Sequence, residues 1–221
     1  MTSERAHDVS AIVLAGGRSS RFWAPKLEAE IDGVTLLEHV IRAVAAVAPE
    51  IVVALPADIS VREPAFGEVT GDPVIRFVRD SEAYGGPLVG LATALAMASG
   101  VRAIVVAGDM PRLRPTVLQA MLEALESPRT DANAQAVPEA IVLTSDGQAR
   151  PLPVALRIDA ARRAVTETLE AGERSLRAML ARLPVEELDP ETWHALDPDA
   201  ETLIDIDAPA DFEALGPADR L

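Results

Sequence analysis

VSAIVLAGG, from Val9 to Gly17, is the stretch whose reading decides the fold. Small, apolar and β-branched residues run from Val9 to Ala15 and close on a Gly-Gly pair. That pattern predicts a strand buried on both faces that enters a tight loop. Working outward, Leu36, Leu37, Val40, Ile41, Val44 and Val47 recur at helical spacing, predicting a helix over 36–48 with one buried stripe. EIVVAL (Glu50–Leu55) and VIRFVR (Val74–Arg79) read as two further strands, and LVGLATALAMAS (Leu88–Ser99) as an apolar helix. RAIVVA (Arg102–Ala107) is a fourth strand, and Pro115 opens a helix to Glu126, proline fitting a first helical turn whose N–H has no partner. Strands that alternate with helices and are themselves continuously apolar predict a parallel sheet covered on both faces.

The second half is less regular. Ala140–Thr144 reads as a strand, Ser145-Asp146-Gly147 as a turn and PLPVAL (Pro151–Leu156) as the hairpin partner. Pro151 and Pro153 confine that partner to a sheet edge or a bulge, because proline donates nothing to a ladder. Helices follow near 159–170 and 175–182, then a strand over Thr202–Ile206 and a closing helix from about Pro209. No linker or repeat separates the halves. The expected architecture is one α/β domain with a mixed sheet over residues 1–221.

Composition narrows the function. A net charge of −15 argues against a nucleic-acid or anionic-membrane surface, which needs a basic face. Aromatic residues are only 3%, too few for base-stacking platforms. The absence of cysteine removes thiolate chemistry and disulfides. MTSERAHDVS has no apolar signal core, and no apolar run nears the ~20 residues of a membrane span, so a cytoplasmic protein is expected.

Against that negative background, Arg18, Arg21 and Lys26 form a local cationic island with no acid among them, just past the Gly-Gly loop. Lys26 is the single lysine beside nineteen arginines, in keeping with a site that wants a compact, flexible ammonium. A solvated basic loop and a polyphosphate site both fit this island. It is not a Walker loop, because Lys26 lies between Pro25 and Leu27. The dinucleotide fingerprint is absent too, since the glycine after Gly17 is Gly33.

Ligands of open α/β sheets bind at the carboxyl ends of strands. The fourth strand ends in Gly108-Asp109-Met110-Pro111, with Asp109 too far from Pro115 to cap the next helix, and it suits a Mg²⁺ ligand. Asp80 ends the third strand and suits a guanine edge, a ribose hydroxyl or a simple turn. In IDIDAPADF, Asp205 suits a second metal ligand and Asp207 an N-cap before Pro209. His7, His39 and His194 have no partner pattern and carry no assigned chemistry.

The strings LAGGRSSR with Lys26 following, then Asp80 before GPLVGL, then GDMPRL, resemble the molybdenum cofactor guanylyltransferase family. DGQARPLPVALR, AGERSLRAML and DIDAPADF resemble its later segments in order, so the resemblance covers most of the chain. It implies a Rossmann-like three-layer α/β/α nucleotidyltransferase fold with a mostly parallel mixed sheet, residues 1–127 forming the nucleotide-binding half and 128–221 the acceptor-binding half. It implies that Leu14, Ala15, Gly16 and Gly17 line a GTP site, that Arg21 and Lys26 hold the phosphates, that Asp80 contacts the nucleoside and that Asp109 binds Mg²⁺. The implied reaction transfers GMP from GTP to the terminal phosphate of the molybdenum-pterin cofactor. Molybdoenzymes or their chaperones would then receive the product.

Three departures from the family pattern stand out. Phe22-Trp23 replaces a Met-Gly pair, ALPAD lacks an asparagine after the second strand, and Asp205-Ile206-Asp207-Ala208-Pro209 replaces Asn-x-Asn-Thr-Pro. The last is closer to the related cytidylyltransferases, whereas GPLVGL is closer to the guanylyl branch. A CTP-dependent molybdenum cofactor cytidylyltransferase and a non-catalytic cofactor or nucleotide carrier are the alternatives. The pterin is expected near Arg150–Arg157, by position in the chain.

Overall fold

The computed structural model describes residues 8–16, 29–57, 71–79, 86–126, 137–208 and 211. Gly17, Arg18, Arg21, Phe22, Trp23, Lys26, Asp80 and the helix expected from Pro209 lie outside the described residues.

The first half alternates as its hydrophobic pattern requires. β1 (Val9–Leu14) is buried along its whole length and pairs in parallel with β4 (Glu50–Leu55) on one side and β6 (Arg102–Ala107) on the other. β5 (Val74–Arg79) adds to β4, also in parallel. Between β1 and β4 lies a two-stranded hairpin, β2 (Glu30–Ile31) and β3 (Val34–Thr35), whose Asp32-Gly33 turn has both φ angles positive. Thr35 then caps α1 (Leu36–Ala45), its hydroxyl accepting the Glu38 N–H at 3.2 Å. A cap of this kind contributes about 1 kcal/mol. α2 (Pro87–Met97) connects β5 to β6, and α3 (Pro115–Glu126) leaves β6.

The second half completes the sheet with β7 (Ala140–Ser145), β8 (Gln148–Arg157) and β9 (Val185–Glu187), giving the order β5-β4-β1-β6-β8-β7-β9. β8 is antiparallel to both β6 and β7, and β9 is parallel to β7. The sheet is therefore mixed, with its parallel part built around β1. Three more helices follow: α4 (Ile158–Glu170), α5 (Leu176–Leu180) and α6 (Pro190–Leu196).

Alternation along each strand builds two cores. Ala11, Val13 and Ala15 of β1 face α1, α3 and Trp193 of α6, while Ile12 and Leu14 face α2, α4 and α5. The reversal of chain direction makes these faces opposite. From β1 the chain moves outward to β4 and β5, then crosses back to β6, and right-handed crossovers put the intervening helices on different sides.

Of the two places open to the proline-bearing partner of β7, an edge or a bulge, the protein uses the bulge: β8 lies inside the sheet between β6 and β7, and its prolines fall at the shift in the β7–β8 register between Val142 and Thr144. One expectation changes. The strand expected over Thr202–Ile206 is absent: Glu201–Leu203 is a 3₁₀ turn, and residues 204–207 join no ladder. The cause is side-chain competition for the backbone. The buried Asp197 carboxylate accepts the N–H groups of Glu201 and Thr202 at 3.0 and 2.7 Å, which winds the chain into the turn.

At the amino ends of the strands, Glu50 is 7% exposed and is held by Ser10 Oγ, the Ser99 N–H and hydroxyl, and Arg76. Gly100 closes this end tightly, for a Cβ there would lie 2.9 Å from Asp8 O, Ser10 N and Ser10 Oγ.

Candidate active site

The switch in chain direction opens between β1 and β6, at their carboxyl ends, and this is where an open α/β sheet takes a ligand. Leu14 of β1 is level with Ala54 of β4 and Ala107 of β6. The Ala15 N–H donates to Ala54 O at 2.9 Å and the Gly108 N–H donates to Leu14 O at 3.0 Å, so the strand end is fixed from both sides. Leu14 and Ala15 are buried, and the chain surfaces at Gly16. Among the described residues, packing does not require glycine there. Gly16 does not have a positive φ, and an added Cβ would make ordinary contact with Pro56 Cγ at 3.6 Å.

α2 starts at the same edge, because it leads back from the carboxyl end of β5 to the amino end of β6. Its N-cap, Gly86, has φ 83°, a left-handed conformation that disfavours any residue with a Cβ. Pro87 follows and the first turn holds no acid, so the amide-rich end of the helix keeps its positive character.

Asp109 lies two residues beyond β6, half-buried. Its carbonyl accepts the Ile206 N–H at 3.0 Å, a bond that draws the 204–207 segment onto this strand end. Ile206 is fully buried against Ile31 and Leu36, which anchors the segment from the other side. Further along, Thr202 Oγ1 accepts the Arg114 N–H at 3.1 Å, and the Glu201 carboxylate pairs with Arg114 and, at 3.8 Å, with Arg112. The loop after β6 and the C-terminal arm are thereby stapled together.

The result brings Asp205 to Asp109. Withdrawal from water, followed by the negative charges of Asp207 and Asp109, pushes the Asp205 carboxyl above its ordinary range, while the positive charge of Arg150 pulls the other way. Carboxylates crowded in this way are stabilised by a cation. Two hard oxygen donors suit a divalent ion such as Mg²⁺, which usually takes one or two carboxylates and completes its shell with water and substrate phosphate. Among the described residues no group of three or more His, Cys, Asp or Glu side chains forms a closed metal cage. The donor set fits an open site shared with a phosphorylated ligand.

Other sequence candidates take structural places. The ring of His39 meets Ile31 O through Nε2 at 3.2 Å and ties α1 to the β2–β3 hairpin. His194 stacks on Trp193 with ring centres 3.7 Å apart. The Asp207 and Ala208 N–H groups both donate to the Asp211 carboxylate at 2.7 Å. Sequence reasoning left Arg150 without a role of its own, although it is the cation that acts on Asp205. The bulge-forming prolines just after it were the available signal.

Comparison with known proteins agrees with this fold. Residues 11–188 match the family described as the MobA-like NTP transferase domain. The probable molybdenum cofactor guanylyltransferase of Chloroflexus aggregans is 28% identical over 211 residues, covering 93% of this chain and 92% of that protein. Among solved structures, molybdopterin-guanine dinucleotide biosynthesis protein A from Archaeoglobus fulgidus superposes with a TM-score of 0.70 at 23% identity, over 93% of this chain and 95% of that chain. The manganese complex of Rv0371c from Mycobacterium tuberculosis has a TM-score of 0.55 at 20% identity, over 83% and 88% of the two chains. No described helix is long and apolar enough to cross a membrane.

Proposed function

Because the chain belongs to the family of MobA-like NTP transferase domains, we propose that it transfers GMP from GTP to the terminal phosphate of the molybdenum-pterin cofactor. An oxygen of the acceptor phosphate attacks the α-phosphorus of GTP. The bond from that phosphorus to the oxygen bridging to the β-phosphate breaks, and pyrophosphate leaves with the bonding pair. The guanine dinucleotide form of the cofactor remains, for delivery to molybdoenzymes or their chaperones.

The observation that carries this reading is the meeting of Asp109 and Asp205 at the β1/β6 switch point, beside a strand that surfaces at a glycine. A glycine that packing among the described residues does not demand suits close approach of a ligand to the backbone. In this reading Leu14, Ala15, Gly16 and Gly17 line the nucleotide, Arg21 and Lys26 hold its phosphates, and Asp80 contacts the nucleoside. Asp109 and Asp205 hold Mg²⁺, which supplies neutralisation of the triphosphate charge when bound. The chain's own residues contribute chiefly orientation and preorganised charge, so no protein nucleophile is needed.

Lys26→Ala separates an enzyme from a silent carrier. A phosphate-holding lysine predicts a fall in pyrophosphate release of about a hundredfold or more with folding unchanged. Turnover within twofold of the parent protein would remove Lys26 from the mechanism.

A further inference from the structure

β8 runs antiparallel to β6 in steady register, from Arg102 opposite Arg157 to Val105 opposite Val154. Each step toward the carboxyl end of β6 is therefore one step back along β8. Beyond the last ladder pair, β8 carries Arg150 toward the carboxyl end of β6, the end that leads to Asp109. On its other side β8 breaks register: Val142 faces Val154 but Thr144 faces Ala149, leaving Arg150, Pro151, Leu152 and Pro153 opposite the single residue Leu143. Bulges of this kind re-aim side chains beside functional sites.

This bulge is held firmly. Leu152 packs against both hydrophobic cores, and Ala149 O accepts the Arg177 guanidinium at 3.0 Å. Arg150 is half-buried at its mouth. Around the carboxylates, Arg112 and Arg114 are tied to Glu201. Arg150 acts on Asp205 through its charge, yet among the described residues it closes no ion pair of its own.

The order of parts along the sheet then matters. The glycine end of β1, Asp109 at the end of β6 and Arg150 of β8 follow one another across the edge. In-line displacement at phosphorus puts the entering oxygen opposite the leaving pyrophosphate. With the triphosphate over the β1 loop, the entering phosphate comes from the β8 side. We propose that Arg150, delivered by the β8 bulge, binds the acceptor's phosphate and so positions the attacking oxygen, an assignment that rests on the nucleotidyltransferase reading above. A guanidinium suits that task, because its planar fork grips a phosphate through two donors and stays charged.

The test compares the full-length parent protein with Arg150→Gln and Arg150→Lys. Each is titrated calorimetrically in Mg²⁺ with GTP alone and with a pterin phosphomonoester alone, and acceptor and GTP KM values are measured separately. The assignment predicts that Arg150→Gln weakens phosphomonoester binding and raises acceptor KM at least tenfold, shifting GTP binding less than twofold. Arg150→Lys recovers part of the loss. Equal weakening of both ligands, weakening of GTP alone, no change in either, or a parent protein that does not bind the phosphomonoester would each overturn it. A parent protein that fails to bind GTP refutes the nucleotidyltransferase reading itself, and the phosphomonoester titration still decides whether Arg150 holds a phosphate.

Discussion

Replacing Glu50 with glutamine tests the packing that holds the sheet together far from the site. Burial alone would raise this carboxyl, but hydrogen bonds from Ser10, the Ser99 N–H and hydroxyl, and Arg76 outweigh it and hold it below its ordinary value near 4.5. Glutamine keeps the shape but turns one acceptor oxygen into a donor that faces donors. The best arrangement saves the bonds to Ser10 and the Ser99 N–H, and loses Arg76. Ser99 and Arg76 reach solvent and rehydrate, whereas Ser10 is fully buried and cannot. The loss then amounts to one charge-assisted hydrogen bond plus partial disorder of the rest, about 2 kcal/mol. For a chain of this size that lowers Tm by roughly 4–8 °C. The pH dependence carries the sharper signature. A lowered carboxyl contributes stability above its unfolded pKa and loses it as pH falls through the folded value. The gap between parent and variant should thus be full at pH 7, narrow from about 4.5 downward and close in stronger acid. Denaturant titrations at pH 7, 5 and 3 measure it. A gap below ~0.5 kcal/mol at pH 7, or one that stays constant into acid, would refute the argument.

Asp109→Asn and Asp205→Asn should each lower turnover by about a hundredfold or more in Mg²⁺, and raise the Mg²⁺ concentration needed for half-maximal rate. Turnover and Mg²⁺ dependence matching the parent protein would separate that carboxylate from the metal. Asp197→Ala removes a buried carboxylate that accepts two backbone N–H groups, and should cost about 3 kcal/mol in denaturant unfolding. It should also lower turnover of the folded protein, because the turn it holds leads directly to Asp205.

Much of the parallel half was legible because β1, β4 and β6 are built on continuous apolar runs. β4, β5 and β6 lie where EIVVAL, VIRFVR and RAIVVA end and begin. Asp109 was legible as a strand-end carboxylate with no helix to cap. The 204–207 segment was misread, because DID alternates like a strand while its actual partners, Asp197, Arg114 and the Asp109 carbonyl, are tertiary contacts. The Asp32-Gly33 turn carried a hairpin signal that the short strands around it obscured. Arg150 stayed hidden for a related reason. Pro151 and Pro153 announced an irregularity, but only the register with β6 and β7 tells which neighbour the irregularity faces.

The central claim is that the Asp109–Asp205 edge runs guanylyl transfer onto the molybdenum-pterin cofactor. Pyrophosphate release measured with each of the four NTPs, with acceptor and Mg²⁺ present, tests it most directly. The account predicts release with GTP that depends on the acceptor and on the divalent ion, and much slower release with CTP, ATP and UTP. A preference for CTP, or release indifferent to the acceptor, would contradict it.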